Sequence, residues 1–572
     1  MCRPPQSGRN HAVNVDHARL DELRTGQGDI ANHVIDEFAA GRLSRRDFMR
    51  RGSVVGISIP VIGAIVAACG GSSPSPSKST PPGASGATIK AGIVTPTSAI
   101  NPVTVADQGG LDMLAQAGEY LTLSNQTLTL QPVLAESWSP NSAADVWTFK
   151  IRQGVKFHNG QPLTADDVVY TYKLQTNPAG KGSALSAFGG VLTPSGVKKV
   201  DDFTVEFHLT APNGNFPYLT SSDNYNMIII PKGYDPAKWE KSFLGTGPFV
   251  LDKYTAKVGA SFKRNPNYWG TAAKPAATQF TFYATETPSV LALTSGSIDV
   301  VGQFTVALSP QLLSGYNVIK LKSSAHRELS MRNDKPPFTD ARVRQAIALS
   351  LDRPAIVQAL FKGLADLGND SPFAPVYPST NTSIPQRAKD IAKAKSLLSA
   401  AGHPNGFSAT LTGEVFAEIP QFAQIVQQQA KDIGVHLSLN IEEQSKYYGN
   451  FLFGTSDWLD ATMSLVDYGH RGVPNVFLTA PLQTINSKTG TGAWNAAHFK
   501  NKQYDKLSKE YIATSDHSSQ RAIAGQIETL LLNETPIIYA YFYNYLTAAA
   551  KTVNGVYPTA VGHLFLQNVT KS

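Results

Sequence analysis

The 572-residue chain is 42% hydrophobic and 16% charged, too long for one hydrophobic core and too evenly mixed for a disordered or polytopic protein. Its net charge of +7 is spread without a basic block, which argues against a nucleic-acid partner. Cys2 and Cys69 are the only cysteines, so stability has to come from buried area and not from disulfide staples.

The first informative segment is Ser44-Arg45-Arg46-Asp47-Phe48-Met49-Arg50, followed by an apolar stretch from Val54 to Ala68. A positive segment before about fifteen apolar residues, too few to span a bilayer, has the form of an export signal. The arginine pair Arg45 and Arg46 resembles the twin-arginine type. Val66-Ala67-Ala68-Cys69-Gly70 resembles a bacterial lipobox, in which the cysteine is acylated and becomes the new N-terminus. Residues 1–68 are therefore expected to be a leader and Cys69 a lipid anchor, held by hydrophobic transfer of its acyl chains. Residues 69–87 are almost entirely Gly, Ser, Pro, Thr and Ala, a composition that cannot bury enough surface to fold. As a coil they would span about 25 Å, a tether holding the body just off a membrane.

The body opens with a strand predicted over residues 88–95. Trp147–Arg152 alternates apolar and polar as a half-buried strand does, with Gly154 and Asn159-Gly160 supplying tight turns beyond it. Thr164 is expected to cap a helix, with Asp166 and Asp167 in its first turn. Asp340 or Thr339 caps a helix burying Val343, Ile347 and Leu351, and Asp352 with Pro354 opens the next. Helices are predicted over 388–401, stopped by Gly402, and over 421–433, stopped by Gly434. A strand over 435–441, a helix face of Ile523, Ile527, Leu530 and Leu531, and an aromatic strand over 536–545 follow. Mixed strands and helices without an internal repeat predict an α/β body of several domains.

Four blocks of the body, the fourth in two parts, resemble the large extracellular solute-binding proteins of peptide and nickel ABC importers, family 5. They are Leu134–Trp138 with Trp147–Val168, Gly245–Phe249 with Lys263–Trp269, Gly296–Asp299, Pro337–Ile347, and Leu351–Arg353. They stand in family order and cover nearly the whole chain from Thr88. Taken singly they read as structure: Gly245 and Gly247 as turn glycines without the Gly-Lys-Ser/Thr of a phosphate loop, Arg342 and Arg344 as a solvated helix face, His158 as a strand-end residue. The resemblance implies a periplasmic-binding-protein type II-like fold, two lobes with a hinge and a ligand cleft, plus an extra domain. The first lobe would combine 88–120, 245–330 and 535–572, the extra domain 121–244, and the second lobe 331–534.

In peptide-binding members an aspartate of a Trp-x-x-Asp-Tyr segment meets the peptide ammonium. Val466-Asp467-Tyr468-Gly469 resembles that segment, with Ser464 in the tryptophan position and residues 470–473 inserted before Pro474. The resemblance makes Asp467 the anchor, with Asp460 as its rival. Tyr468 beside it is a further ligand-binding candidate, Trp458 and Tyr447-Tyr448 would be aromatic walls, and Arg471 or Arg327 would meet a ligand carboxylate. No catalytic residue, metal ligand or cofactor is expected: there is no Gly-x-Ser-x-Gly elbow, no His-Glu-x-x-His helix, and the twelve histidines lack ligand spacing. The expected activity is capture of a short peptide, by a monomer on the outer face of the cytoplasmic membrane, for delivery to an ABC permease. A nickel chelate, a sugar, or turnover by an extracytoplasmic hydrolase are the alternatives.

Overall fold

The structure, a computed structural model, describes residues 86–180, 182–487 and 491–572, together with Asn32, Ile35, Phe38 and Leu43. The export segment with Arg45 and Arg46, the anchor Cys69 and most of the tether lie outside these residues. No helix among the described residues is long and apolar enough to cross a membrane.

Strand β1 (Thr88–Val94) leads to helix α1 (Gln108–Ala117), whose N-terminus Asp107 caps by accepting from the Gly110 amide at 3.0 Å. A four-stranded antiparallel sheet follows, built from β2 (Ala135–Pro140), β3 (Val146–Ile151), β4 (Val197–Asp201) and β5 (Thr204–His208) in the order β2-β3-β5-β4. Helix α2 (Ala165–Gln175) covers it, and Thr164 starts that helix with a capping box closed by Asp167. In β3 the buried side chains are Trp147, Phe149 and Ile151, the alternation read from the sequence.

The chain then builds β6 (Phe249–Thr255), β7 (Gly259–Arg264), β8 (Ala277–Tyr283), β9 (Val300–Val301) and β10 (Asn317–Leu321). Crossing over, it forms β11 (His326–Met331), β12 (Ala365–Leu367), β13 (Phe407–Glu414), β14 (Val435–Glu442) and β15 (Met463–Tyr468). Helices α3 (Ala341–Ser350), α4 (Arg353–Phe361), α5 (Ile391–Ala400) and α6 (Ile419–Ala430) pack on these strands, and α7 (Lys502–Ala513) and α8 (His517–Glu534) follow. Strand β16 (Ile537–Tyr543) closes the second part, and β17 (Tyr545–Ala549) returns to the first.

The result is two large sheets, one of seven strands ordered β10-β17-β9-β1-β8-β7-β6 and one of six ordered β12-β16-β11-β15-β13-β14. Each sheet contains a parallel pair, Ala91 opposite Phe280 in the middle of the first and Leu411 opposite Leu439 at the edge of the second. The chain passes between the sheets at residues 322–325 and again at Asn544. The two passages run side by side: the Ser323 hydroxyl donates to the Tyr543 carbonyl at 2.5 Å and the Tyr543 amide to the Ala325 carbonyl at 3.0 Å. Two adjacent passages are the geometry of a hinge.

Several boundaries differ from the sequence expectation. Residues 326–330 and 537–543, assigned beforehand to the first lobe, are strands of the six-stranded sheet. The aromatic run at 536–545 is two strands in two sheets, because Asn544 turns the chain toward the Leu364 carbonyl. Helix α5 begins at Ile391 since Asp390 caps it through the Lys393 amide, and α6 begins at Ile419. Arg344 is not solvated. It is 2% exposed and donates to the Phe338 carbonyl at 2.6 Å and the Glu534 carbonyl at 2.9 Å, while Arg342 stays exposed and pairs with Asp340.

The blocks that resembled a family are seams of the fold. The Gly247 amide donates to the Ala117 carbonyl at 2.9 Å, and a Cβ on Gly245 would come within 2.0 Å of that same oxygen. The His158 amide donates to the Gly245 carbonyl, and its Nε2 lies 3.0 Å from the Gly247 carbonyl, joining the first block to the second. Buried Glu119 accepts from Thr246 Oγ1, Tyr268 Oη and Trp269 Nε1 at 2.6–2.8 Å. Asp299 accepts from the Lys90 amide and pairs with Lys571, and Arg353 with Arg387 clamps buried Asp370 from both sides at 2.6 Å.

Candidate functional site

Both sheets end at the hinge, and two charge clusters lie near it. The first is built on β11 and β15, where Arg327 stands directly opposite Asp467 in antiparallel register. Arg327 is 2% exposed and ion-pairs with Asp467 on one side. On the other its Nη2 donates to Glu418 Oε2 at 3.1 Å. Its guanidinium carbon sits 4.5 Å over the Tyr543 ring, and Tyr541 Oη donates to Glu418 Oε1 at 3.0 Å. The cation thus meets two carboxylates and an aromatic face, which is how a buried guanidinium is kept charged.

Asp460, the rival anchor, accepts from the Gly454 and Ser456 amides at 2.9 and 3.3 Å and closes its own loop. Trp458 is buried and edge-on to Tyr448 at 5.8 Å, while Tyr447 is buried with its hydroxyl on the Leu465 carbonyl. Tyr468 stacks on His326 at 5.7 Å and leans on Trp494 at 5.8 Å. These aromatics form one packed cluster behind the cleft.

The second cluster lines a cavity of about 410 Å³ between the segment after the four-stranded sheet and the second lobe. Tyr218, Asp223 and Tyr225 line it from the first segment and Arg471, Asn475 and Trp494 from the second lobe. The walls touch at the rim: the Gly214 amide donates to the Ile512 carbonyl at 2.8 Å and Asn215 Nδ2 to Asn475 Oδ1 at 2.8 Å. Of the residues expected to meet ligand, Arg471 lines this cavity; Asp467, Tyr468 and Trp458 do not.

Arg471 is set in place from the hinge. Ser324 Oγ donates to its carbonyl at 2.8 Å and accepts from its amide at 2.9 Å, and Tyr377 Oη donates to the same carbonyl at 2.9 Å. The Ser324 amide donates to His470 Nδ1 at 3.0 Å, so the proton of that ring is assigned to Nε2. Burial, with Arg471 beside it, pushes His470 down to about 3, which keeps the ring neutral. The guanidinium of Arg471 reaches only the His470 carbonyl, at 2.9 Å, and no described carboxylate lies within ion-pairing distance.

Asp223 lines the same cavity, against the residue next to Arg471. Its Oδ2 is enclosed and has no hydrogen-bond partner among the described residues. Burial pushes the carboxyl up to about 7, only partly offset by Ser124. Gly472 packs flat on it, and a Cβ there would lie 1.9 Å from Oδ2. Sequence reasoning missed Asp223 and Trp494. Neither belongs to a block with a recognisable pattern, and both reach the cavity only through the docking of distant segments.

Two α/β lobes joined by a double passage, with a pocket of small-molecule size between opposed walls, define a ligand-binding protein of the hinged type II class. The family described as bacterial extracellular solute-binding proteins, family 5, middle region, matches residues 129–470. Dipeptide-binding protein DppE of Bacillus subtilis is 28% identical over 494 residues, covering 79% of this chain and 86% of its own. Heme-binding protein A of Haemophilus influenzae is 26% identical over 442 residues, covering 72% and 78%. The solved structure of HbpA2 from Haemophilus parasuis superposes with a TM-score of 0.75 at 23% identity, covering 85% of this chain and all of that one. The chain belongs to the bacterial extracellular solute-binding proteins, family 5.

Proposed function

We propose that this protein captures a short peptide in the cavity between its walls and hands it, unaltered, to an ABC permease. The observation that carries this reading is the cavity itself: about 410 Å³, within the ordinary range for small-ligand pockets, and bordered by side chains of opposite charge that have no ionic partner among the described residues. Asparagines 213 and 475 at its rim offer hydrogen bonds to a peptide backbone, and Tyr218 and Trp494 offer flat apolar walls to its side chains. A relative that binds dipeptides supports the ligand class, and a relative that binds heme sets the alternative. Native mass spectrometry of the chain purified from its own host tests it: an intact peptide should co-purify and be released on unfolding. A tetrapyrrole, or cleavage products of an added peptide, would count against the reading.

The export and anchoring reading extends this function. Arg45 and Arg46 before an apolar stretch, Cys69 in a lipobox pattern and a tether of about 25 Å support a body held at the outer face of the cytoplasmic membrane, acting as a monomer. Cys69→Ser should abolish labelling by a clickable palmitate and move the protein from the membrane to the soluble fraction.

A further inference from the structure

We propose that the first lobe, with its extra domain, carries a second ligand site: a cage of aromatic rings backed by Glu119 that takes a small organic ammonium, an amine or quaternary ammonium with an apolar body. The site is a cavity of about 400 Å³ lined only by residues of the segments 115–133, 248–269 and 557–568. It shares no residue with the interlobe cavity and includes none from the second lobe. It is therefore complete within one lobe, and the inference stands apart from the peptide reading.

The lining is made of rings. Tyr268 and Trp269 stand side by side with centroids 5.4 Å apart, and Tyr557 is paired with Phe565 across a short hairpin at 6.2 Å. All four are half-buried and border the cavity. Tyr120 lies deeper, its hydroxyl held between the Tyr225 carbonyl and His563 Nε2, both at 2.9 Å. Glu119 is the one charged residue of the lining, which contains no lysine, arginine or histidine. Its carboxylate is met by neutral donors, Thr246, Tyr268 and Trp269. Burial pushes it up to about 6, only partly offset by these hydrogen bonds and by Arg152, so at neutral pH it is an enclosed anion.

That arrangement selects for a cation with an apolar surface. Tyr268 and Trp269 both donate to Glu119, and a ring whose donor is bound to an anion is polarised so that its face holds a cation more strongly. Trp269 already draws one: the guanidinium carbon of Arg152, which does not line the cavity, sits 4.8 Å from its centroid. An anion would be repelled by Glu119. A sugar would find few free partners, since the Tyr120 and Tyr268 hydroxyls are engaged and the Gln567 amide donates to the Thr271 carbonyl at 2.6 Å. An ammonium suits both parts of the site: the rings cover its apolar groups, and the carboxylate behind them supplies the opposite charge.

The test is calorimetry on the purified full chain with three soluble probes that share a ring: benzylamine, benzyl alcohol and benzoate. Benzylamine should bind, benzyl alcohol at least about 10-fold more weakly and benzoate not detectably, as expected when the charge that meets the rings and the carboxylate is removed or reversed. Benzyltrimethylammonium should bind about as well as benzylamine, because a cage of ring faces needs no N–H donor. Tyr557→Leu and Phe565→Leu each remove one ring and keep apolar bulk; each should weaken benzylamine by about 3-fold or more. Melting curves check that these variants fold, and the probes on the unmodified chain need no variant. Equal binding of benzylamine and benzyl alcohol overturns the inference. So does benzylamine binding that neither ring variant weakens, and so does a chain that binds neither cation. None of these results bears on the interlobe cavity, whose own test is the peptide that co-purifies.

Discussion

The two charge clusters near the hinge are built on opposite principles, and the contrast separates structure from function. Around Arg327 every charge has its counter-charge: Asp467, Glu418 and an aromatic face enclose one guanidinium, and Tyr541 satisfies a remaining oxygen. In the cavity, Asp223 and Arg471 are each left without an ionic partner by the described residues. A saturated cluster spends its electrostatics on holding strands together. An unsaturated one leaves a desolvation cost in the folded protein.

The strongest way to break this comparison is Arg327→Met. Removing the cation leaves two carboxylates facing each other in a buried site, and the expected loss is about 3–5 kcal/mol in denaturant unfolding. Were Asp467 a ligand anchor, freeing it in this variant would tighten peptide binding instead, which calorimetry would register. Gly472→Ala comes next. Its new Cβ overlaps Asp223 Oδ2, and overpacking of this kind costs about 1–3 kcal/mol, read here as weaker solute binding.

Glu528 sharpens the comparison through pH. Burial pushes its carboxyl up to about 8, and Oε2 has no described partner. Because the folded protein keeps a proton that the unfolded chain releases, stability should fall as pH rises from the ordinary carboxylate range toward 8, by about 1.4 kcal/mol per unit. Glu528→Gln should flatten that slope in melting curves taken between pH 5 and 8. Asp223 and Glu119, raised to about 7 and about 6, act in the same sense over narrower windows. The smallest effect belongs to Arg342→Ala, which removes an exposed pair with Asp340 and should leave the melting temperature unchanged.

Much of the fold was legible in the residues. The alternation of Trp147, Phe149 and Ile151, the capping box at Thr164, the cap at Asp340 and the turn glycines 154 and 160 all signal structure through neighbours a few positions apart. The candidate site was legible only in part. Arg471 was among the residues singled out and lines the cavity; Asp467 was singled out by a segment pattern, and the structure shows that carboxylate held by a strand 140 positions away. Arg344 looked like a solvated helix residue because its acceptors, the carbonyls of Phe338 and Glu534, include one on a helix end nearly two hundred residues on.

By itself the sequence determined the elements, because periodicity, capping and turn chemistry act within a few residues along the chain, and its ordered blocks carried the family resemblance. Tertiary structure alone decided which strands share a sheet across the hinge, which carboxylate is neutralised and which is left open. Those outcomes depend on charges and backbone groups brought together from distant segments, and Coulomb attraction and burial act through space, whatever the separation along the chain.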